Sequence, residues 1–399
     1  MKKFLKIILI CLLLSIKSAY AEEFKITSDY VILYNLNDNK VLYELNSEDK
    51  TQIASLTKIM ATIVGIENNE NLDEEVVITR EALKGYTDYT KVGFKVGDKV
   101  TVRDLLYGVM LPSGADASLA LSIHTAGSVS GFVELMNDKA IELGLKNTLF
   151  DNPIGEDSEE NYSSAKDVAI ILKYALKDPT FRDIFNAREY TISSINKTVK
   201  STLIMYSKSY GLDVTDINGA KSGFTDEAGV CLASTATIDG VDYLLVTIGA
   251  DVKNKSNAVR DSLEIYDYYS SNYSYQTITK KDDVLATIPT KWGKVKEYDI
   301  KALEDTSLYL ENGIRKNKIK YKYEGIDELN YRIKKGDKLG TITVLYRDKE
   351  IFNYDVYLNE KIEYYHPVLY VIIFISSITM IISLRKIFKK KKKKKRRRR

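Results

Sequence analysis

Ile53-Ala54-Ser55-Leu56-Thr57-Lys58-Ile59-Met60-Ala61-Thr62-Ile63 is the stretch on which the reading of the first two-thirds of the chain turns. Apolar residues at 53, 56, 59, 60 and 63 recur at helical spacing, so Ser55 is expected to open a helix whose apolar side faces a core. Positions i and i+3 share a helix face, which brings the Lys58 amine within reach of the Ser55 hydroxyl. A helix start also aims backbone N–H groups at a nucleophile or an oxyanion. Ile59 and Met60 desolvate the amine, and desolvation lowers a lysine pKa so that it can act as a base. The same serine is equally well read as an ordinary helix cap. Ser-x-x-Lys recurs at 47–50, 163–166, 194–197 and 383–386. The motif by itself decides little; what surrounds it decides.

On the N-terminal side, Tyr30–Leu36 and Val41–Leu45 flank a turn at Asn37-Asp38-Asn39 and read as a hairpin. On the C-terminal side, helices fit Val102–Leu111, Ala115–Thr125, Val129–Leu143 and Ser164–Leu176, separated by glycine turns and Asn152-Pro153. After residue 200 the pattern turns to strands. Val230–Ile238, Asp239-Gly240 and Val241–Ile248 form a hairpin signal, because Asp-Gly suits a type I′ turn. A helix over Asn257–Tyr269 packs back on that sheet. Hairpin, helices, strands and closing helix make an α+β domain of roughly 250 residues. Beyond Tyr273–Lys281, short alternating segments at Asp283–Ile288, Val295–Ile300, Lys318–Tyr323, Gly340–Tyr346 and Ile351–Val356 read as a small all-β module.

Two further motifs follow Ser55–Lys58 in order. Leu111-Pro112-Ser113-Gly114-Ala115-Asp116 falls between two helices, and Ser113 there is a second hydroxyl able to pass a proton to a leaving amine. Lys221-Ser222-Gly223 precedes the strand hairpin. Lys221 adds a cation that binds a carboxylate and depresses the pKa of Lys58, and Gly223 lets a ligand approach a strand backbone. Taken singly, Ser113-Gly114 is a loop turn and Lys221 a solvated strand lysine; the ordered set of three favours a site. Ser-x-x-Lys, a serine-centred second motif and Lys-Thr-Gly occur together in penicillin-binding proteins and class A β-lactamases.

With these residues the chain resembles the low-molecular-mass penicillin-binding proteins, the serine-type D-Ala-D-Ala carboxypeptidases. The likeness extends through Asp104–Gly114, Gly127–Asn137, Leu143–Thr148, Phe150–Pro153, Tyr162–Asp167 and Lys221–Leu232, and covers roughly residues 25–270. It implies a β-lactamase/transpeptidase-like serine hydrolase domain, an antiparallel sheet with a helical subdomain. It implies Ser55 as acylated nucleophile, Lys58 as base and Ser113 as proton relay. Lys221 and Thr225 would hold the substrate carboxylate, Ser222 and Gly223 complete the third motif, and the N–H groups of Ser55 and Phe224 form the oxyanion hole. Arg260 is a further candidate for the carboxylate. Two positions depart from the family pattern: Ala115 stands where Asn is usual, and Ser222 where Thr is usual.

The two ends carry different signals. Residues 1–21, with four lysines, the apolar run Ile7–Leu14 and Ala19-Tyr20-Ala21, have the parts of a secretory signal peptide cut after Ala21. Val368–Leu384 is long and apolar enough to span a bilayer, with Tyr364, Tyr365 and Tyr370 as interfacial aromatics. The basic run after it favours a cytoplasmic tail against anionic lipids. The overall net charge of +4 therefore conceals an acidic middle, a poor surface for nucleic acid. With Cys11 removed, Cys231 has no intramolecular partner. Two histidines, His124 and His366, argue against a clustered zinc site or a Ser-His-Asp triad.

The expected organisation is signal peptide 1–21, carboxypeptidase domain 22–273, small all-β domain 274–363, transmembrane anchor 364–386 and basic cytoplasmic tail 387–399. The expected activity is removal of the terminal D-alanine from peptidoglycan pentapeptide stems through an acyl-enzyme, without metal or cofactor, and with β-lactams as acylating inhibitors. The expected location is the cell membrane, single-pass, with the catalytic domain outside the cytoplasm. Two other readings stay open: a β-lactamase using Glu156, Glu159 or Glu160 on the same fold, and a catalytically idle wall-binding protein.

Overall fold

A computed structural model of the chain describes residues 24–85, 89–365 and 367–396. The expected signal peptide, Cys11, His366 and the last three tail residues lie outside the described residues. The chain divides into two compact units, one through Ser271 and one from Asn272.

The first unit is built on a five-stranded sheet. Strands β1 (Tyr30–Asn35) and β2 (Lys40–Leu45) form the N-terminal hairpin. Short strand pairs β3 (Glu75–Val77) with β4 (Lys99–Thr101) and β5 (Glu189–Ile192) with β6 (Lys197–Lys200) lie outside that sheet. β7 (Ile217–Thr225), β8 (Gly229–Ile238) and β9 (Val241–Ala250) complete it in the order β2-β1-β9-β8-β7. All four pairings are antiparallel. Asp239 and Gly240 turn β8 into β9 with φ of 51° and 78°, the two left-handed residues a type I′ hairpin needs.

The sheet is covered on both faces, and the period of two along a strand shows how. Ala233 of β8 packs into the helical core. The next residue, Ser234, faces the other way and meets the Tyr266 hydroxyl at 3.0 Å. The helices are α1 (Thr57–Glu67), α2 (Val102–Met110), α3 (Ala115–Ala126), α4 (Val129–Glu142), α5 (Ala165–Ala175), α6 (Pro179–Asn186), α7 (Thr202–Tyr210) and α8 (Asn257–Asn272). Tyr266 belongs to α8, which covers one face of the sheet; α1 lies in the core on the other. α1 is buried on every side from Thr57 to Gly65, so it sits at the centre of that layer.

Two helices differ from the sequence reading. Residues 202–210 are helical where strand character is expected. The run Leu203-Ile204-Met205-Tyr206 is apolar without a helical period, but Gly211 in the left-handed region closes a helix there. α6 was not foreseen, although Asp178 caps it, Pro179 begins it, and Phe181, Ile184 and Phe185 bury at helical spacing.

The second unit is all-β up to residue 358. It contains β10 (Tyr273–Thr279), β11 (Val284–Pro289), β12 (Glu297–Lys301), β13 (Thr306–Glu311), β14 (Ile319–Gly325), β15 (Lys338–Tyr346) and β16 (Lys349–Tyr357). They form the sheets β10-β13, β11-β12 and β14-β15-β16 around a core that includes Ile288, Ile300, Leu329, Leu339 and Ile342. Helix α9 (Pro367–Arg396) follows, with exposed apolar side chains from Val368 through Leu384.

Candidate active site

Ser55 does not begin an α-helix. It occupies a 3-10 turn, Ala54–Leu56, and α1 starts at Thr57 with no side-chain cap. Its hydroxyl is therefore not consumed as a helix cap. It lies 3.0 Å from the Lys58 amine instead. Ala54 holds φ of 46°, a conformation costly for a residue with a Cβ and one that an enclosing structure must enforce.

Two glycines do that enclosing. A Cβ on Gly223 of β7 would stand 3.0 Å from both the Ala54 Cβ and the Ser55 nitrogen. A Cβ on Gly155 would overlap the Ala54 carbonyl, and Gly155 has φ of 83°. The Ser55 turn is thus clasped between an edge strand and the 152–156 loop. Asn152 shapes that loop: its side-chain oxygen accepts from the N–H groups of Ile154 (3.2 Å), Gly155 (2.8 Å) and Glu156 (3.0 Å).

Lys58 is 1% exposed. Its amine donates to the Ile154 carbonyl at 2.5 Å and faces Ser55 on its other side. Burial pushes its pKa down to about 7, and the Asp116 carboxylate opposes part of that fall. Asp116 is itself buried and accepts from Val92, Gly93, Phe94 and Ala117 N–H groups at 2.7–3.2 Å. It therefore ties the 90–94 segment to the start of α3.

Ser113 sits between α2 and α3 with φ of 64°, and its Oγ is buried with no hydrogen-bond partner among the described residues. It lines a cleft of about 760 Å³ together with Ser55, Tyr89, Thr90, Glu156, Asp157, Thr202, Tyr206, the 222–227 segment and Lys255. β7 is an outer strand of the sheet, so one edge of the 217–225 backbone lies open beside this cleft. An extended peptide can pair with such an edge.

The third-motif residues divide. Ser222, Gly223, Phe224 and Thr225 all line the cleft. The Ser222 hydroxyl donates to Thr202 at 2.7 Å, and Thr225 donates to Asp157 at 2.9 Å. Lys221 does not line it. Its side chain is fully buried, and its amine donates to the Ser222 carbonyl at 2.9 Å. Burial first, then the nearby Lys58 amine, holds its pKa well below the lysine range. A direct grip of Lys221 on a substrate carboxylate is not what this geometry offers; its amine is held against the β7 backbone, where burial and the Lys58 charge disfavour its protonation.

Among the described residues, the cation in the cleft lining is Lys255, with its amine 4.7 Å from the centre of the Phe224 ring. Arg260 turns instead toward Ser256. Ala115 is 1% exposed and packs with Leu119 and Ile154, out of the cleft. Glu156 reaches the cleft lining, which does not include Glu159 or Glu160. His124 lies on α3 facing Glu74 at 3.9 Å. Cys231 is buried in the sheet as a free thiol. Sequence reasoning missed Asp116, Asn152, Gly155, Ile154 and Lys255. Asn152 and Gly155 were legible as turn residues; the carbonyl of Ile154 carries no sequence signal.

Residues 17–252 match the D-alanyl-D-alanine carboxypeptidase family, peptidase S11. Residues 273–364 match the penicillin-binding protein 5, C-terminal domain family. The D-alanyl-D-alanine carboxypeptidase DacF of Bacillus subtilis is 31% identical over 80% of this chain and 82% of its own. DacC of Escherichia coli is 31% identical over 83% of each chain. Penicillin binding protein 5 from Haemophilus influenzae superposes with a TM-score of 0.64 at 25% identity, covering 85% of this chain and 98% of that one. The Streptomyces K15 DD-transpeptidase superposes with a TM-score of 0.55 at 31% identity, covering 61% of this chain and 97% of that one.

Proposed function

Because the chain belongs to the peptidase S11 family of D-alanyl-D-alanine carboxypeptidases, we propose that Ser55 is the nucleophile with which it cleaves its substrate. The activity is a serine-type carboxypeptidase reaction on D-Ala-D-Ala ends of peptidoglycan stem peptides, and the family binds β-lactams. The observation that carries the assignment is a serine hydroxyl 3.0 Å from a buried amine whose pKa is about 7.

In this mechanism neutral Lys58 takes the Ser55 proton as Oγ attacks the carbonyl of the penultimate D-alanine. The N–H groups of Ser55 and Phe224 receive the oxyanion. Ser113, with its unpartnered hydroxyl, passes a proton to the leaving nitrogen, and D-alanine departs. Water then cleaves the ester on Ser55. Thr225 and Lys255 face the terminal carboxylate, while burial keeps Lys58 largely unprotonated above pH 7. Mass spectrometry of the penicillin-treated chain tests this: the acyl group is expected on the peptide carrying Ser55. An acyl group on any other residue, or D-alanine release by Ser55→Ala at the wild-type rate, would sink the assignment.

A second reading rests on Glu156, whose place in the cleft suits a carboxylate that activates the deacylating water. Rapid turnover of a chromogenic β-lactam that Glu156→Gln abolishes would favour β-lactamase action. A long-lived penicillin adduct excludes it.

The C-terminal helix has one stretch long and apolar enough to cross a membrane, within Val368–Lys392. It serves as a single-pass anchor with the catalytic unit outside the cytoplasm and the lysine-rich end inside, against anionic lipids. Protease treatment of intact cells checks this orientation: loss of both units from the outside is the expected result.

A further inference from the structure

Trp292 is the chain's single tryptophan and stands 55% exposed, beside Val295 at 50%. Its turn is stitched to the segment that leads into α9. The Tyr365 N–H donates to the Trp292 carbonyl at 2.7 Å, the Lys294 N–H donates to the Glu363 carbonyl at 2.8 Å, and Gly293 bridges to Tyr364. Tyr365 is three residues from Val368, and an extended chain covers at most about 10 Å in that distance. A membrane surface that receives the apolar part of α9 is therefore close to Trp292.

Alongside lies a pocket of about 740 Å³ whose lining includes Tyr331, Ile333, Lys334, Lys335, Lys361 and Tyr364. Lys294, also in that lining, is matched by Glu363 at 2.5 Å. Lys334, Lys335 and Lys361 have no ion pair among the described residues. The Tyr364 hydroxyl is buried there without a hydrogen-bond partner among the described residues. Three lysines without a close ion pair among the described residues, set against the one carboxylate of Glu363, give the pocket an excess of positive charge beside an exposed indole. They match the layer of a bilayer in which phosphates lie above the first methylenes, where tryptophan and lysine are favoured.

We propose that this face of the β unit is a docking surface for anionic phospholipid headgroups, with lipid phosphates received by Lys334, Lys335 and Lys361, and Trp292 and Val295 at interfacial depth. The proposal rests on α9 being a membrane anchor and adds a second, lipid-selective contact to it. Such a contact would turn a swivelling tether into a fixed stance on the leaflet.

The single tryptophan is its own reporter. The full-length chain is reconstituted into vesicles of phosphatidylcholine alone or mixed with phosphatidylglycerol, each carrying bromine-labelled lipid. Expected are a blue-shifted emission and quenching roughly twofold stronger in the anionic vesicles, as headgroup attraction predicts. The triple variant Lys334→Gln/Lys335→Gln/Lys361→Gln should fall to the neutral-vesicle level, with vesicle flotation and D-alanine release from a soluble pentapeptide unchanged. Equal quenching in both vesicle types, or wild-type quenching in the variant, overturns the proposal. Flotation with a solvent-like Trp292 spectrum removes the docking surface alone, whereas failure to float at all removes the anchor.

Discussion

At the scale of single residues, the site depends on where a few groups hold their protons. Lys58 must be neutral to accept a proton, and burial places its pKa at about 7. Acylation, measured as kcat/KM for a D-Ala-D-Ala peptide, should therefore fall about tenfold per pH unit below 7 and level off above it. Asp116 raises that pKa, so Asp116→Asn should move the acidic limb to lower pH. It should also cost about 1.5–3 kcal/mol of stability, because its charge-assisted bonds to four backbone donors are weakened. A limb that moves to higher pH would contradict the stated electrostatics. Ala115 supplies another case. Its methyl packs on Ile154 and Leu119, so Ala115→Asn inserts an amide into an apolar cluster. A stability loss of about 1–3 kcal/mol is expected in thermal denaturation, without the gain in kcat/KM that a restored substrate contact would bring.

Among elements, the clasp around Ser55 matters more than any one helix. Gly155→Ala places a methyl against the Ala54 carbonyl and 2.9 Å from the Ser55 nitrogen, at a φ of 83°. Penicillin acylation of this variant should slow by roughly a hundredfold, the scale of a nucleophile displaced by about 1 Å. Wild-type acylation with normal folding would show that the clasp does not set the geometry. This element also shows what a sequence can disclose. Ser55, Lys58 and Ser113 were legible because side-chain chemistry at fixed spacing leaves a written pattern. The helices 102–110, 115–126 and 129–142 were legible from their apolar runs and from the glycine turns between them. The helix 202–210 was not, since its apolar run has no period and no side chain caps its start. Lys255 was not legible either, because it reaches the cleft from a loop far along the chain. The burial of Lys221 beneath the cleft floor is a property of the packed sheet, and its motif says only that a cation is near.

For the molecule as a whole, the proposed anchor α9 should be separable from catalysis. A chain ended after residue 364 should leave the membrane fraction, while its release of D-alanine from a soluble pentapeptide stays within about twofold of the full chain, since the groups lining the cleft all precede residue 256. A large loss of turnover would mean that the anchor shapes the site. Lys58 and Lys221 bear on the molecule in another way. Both side chains titrate near 10.5 once exposed to solvent, yet the fold holds Lys58 at about 7 and Lys221 well below its usual range. At these two positions the unfolded chain thus binds more protons than the folded one above pH 7, and these two groups add stability as pH rises from about 7 toward 10.5. Denaturation at pH 8 consequently draws about one proton from the solution onto Lys58, and Lys221 adds uptake in the same direction. The heat recorded in a scanning calorimeter must then include the ionisation heat of the buffer, so that the apparent unfolding enthalpy in Tris and in phosphate should differ by about the difference between the two buffers' own heats for Lys58, and by more through Lys221.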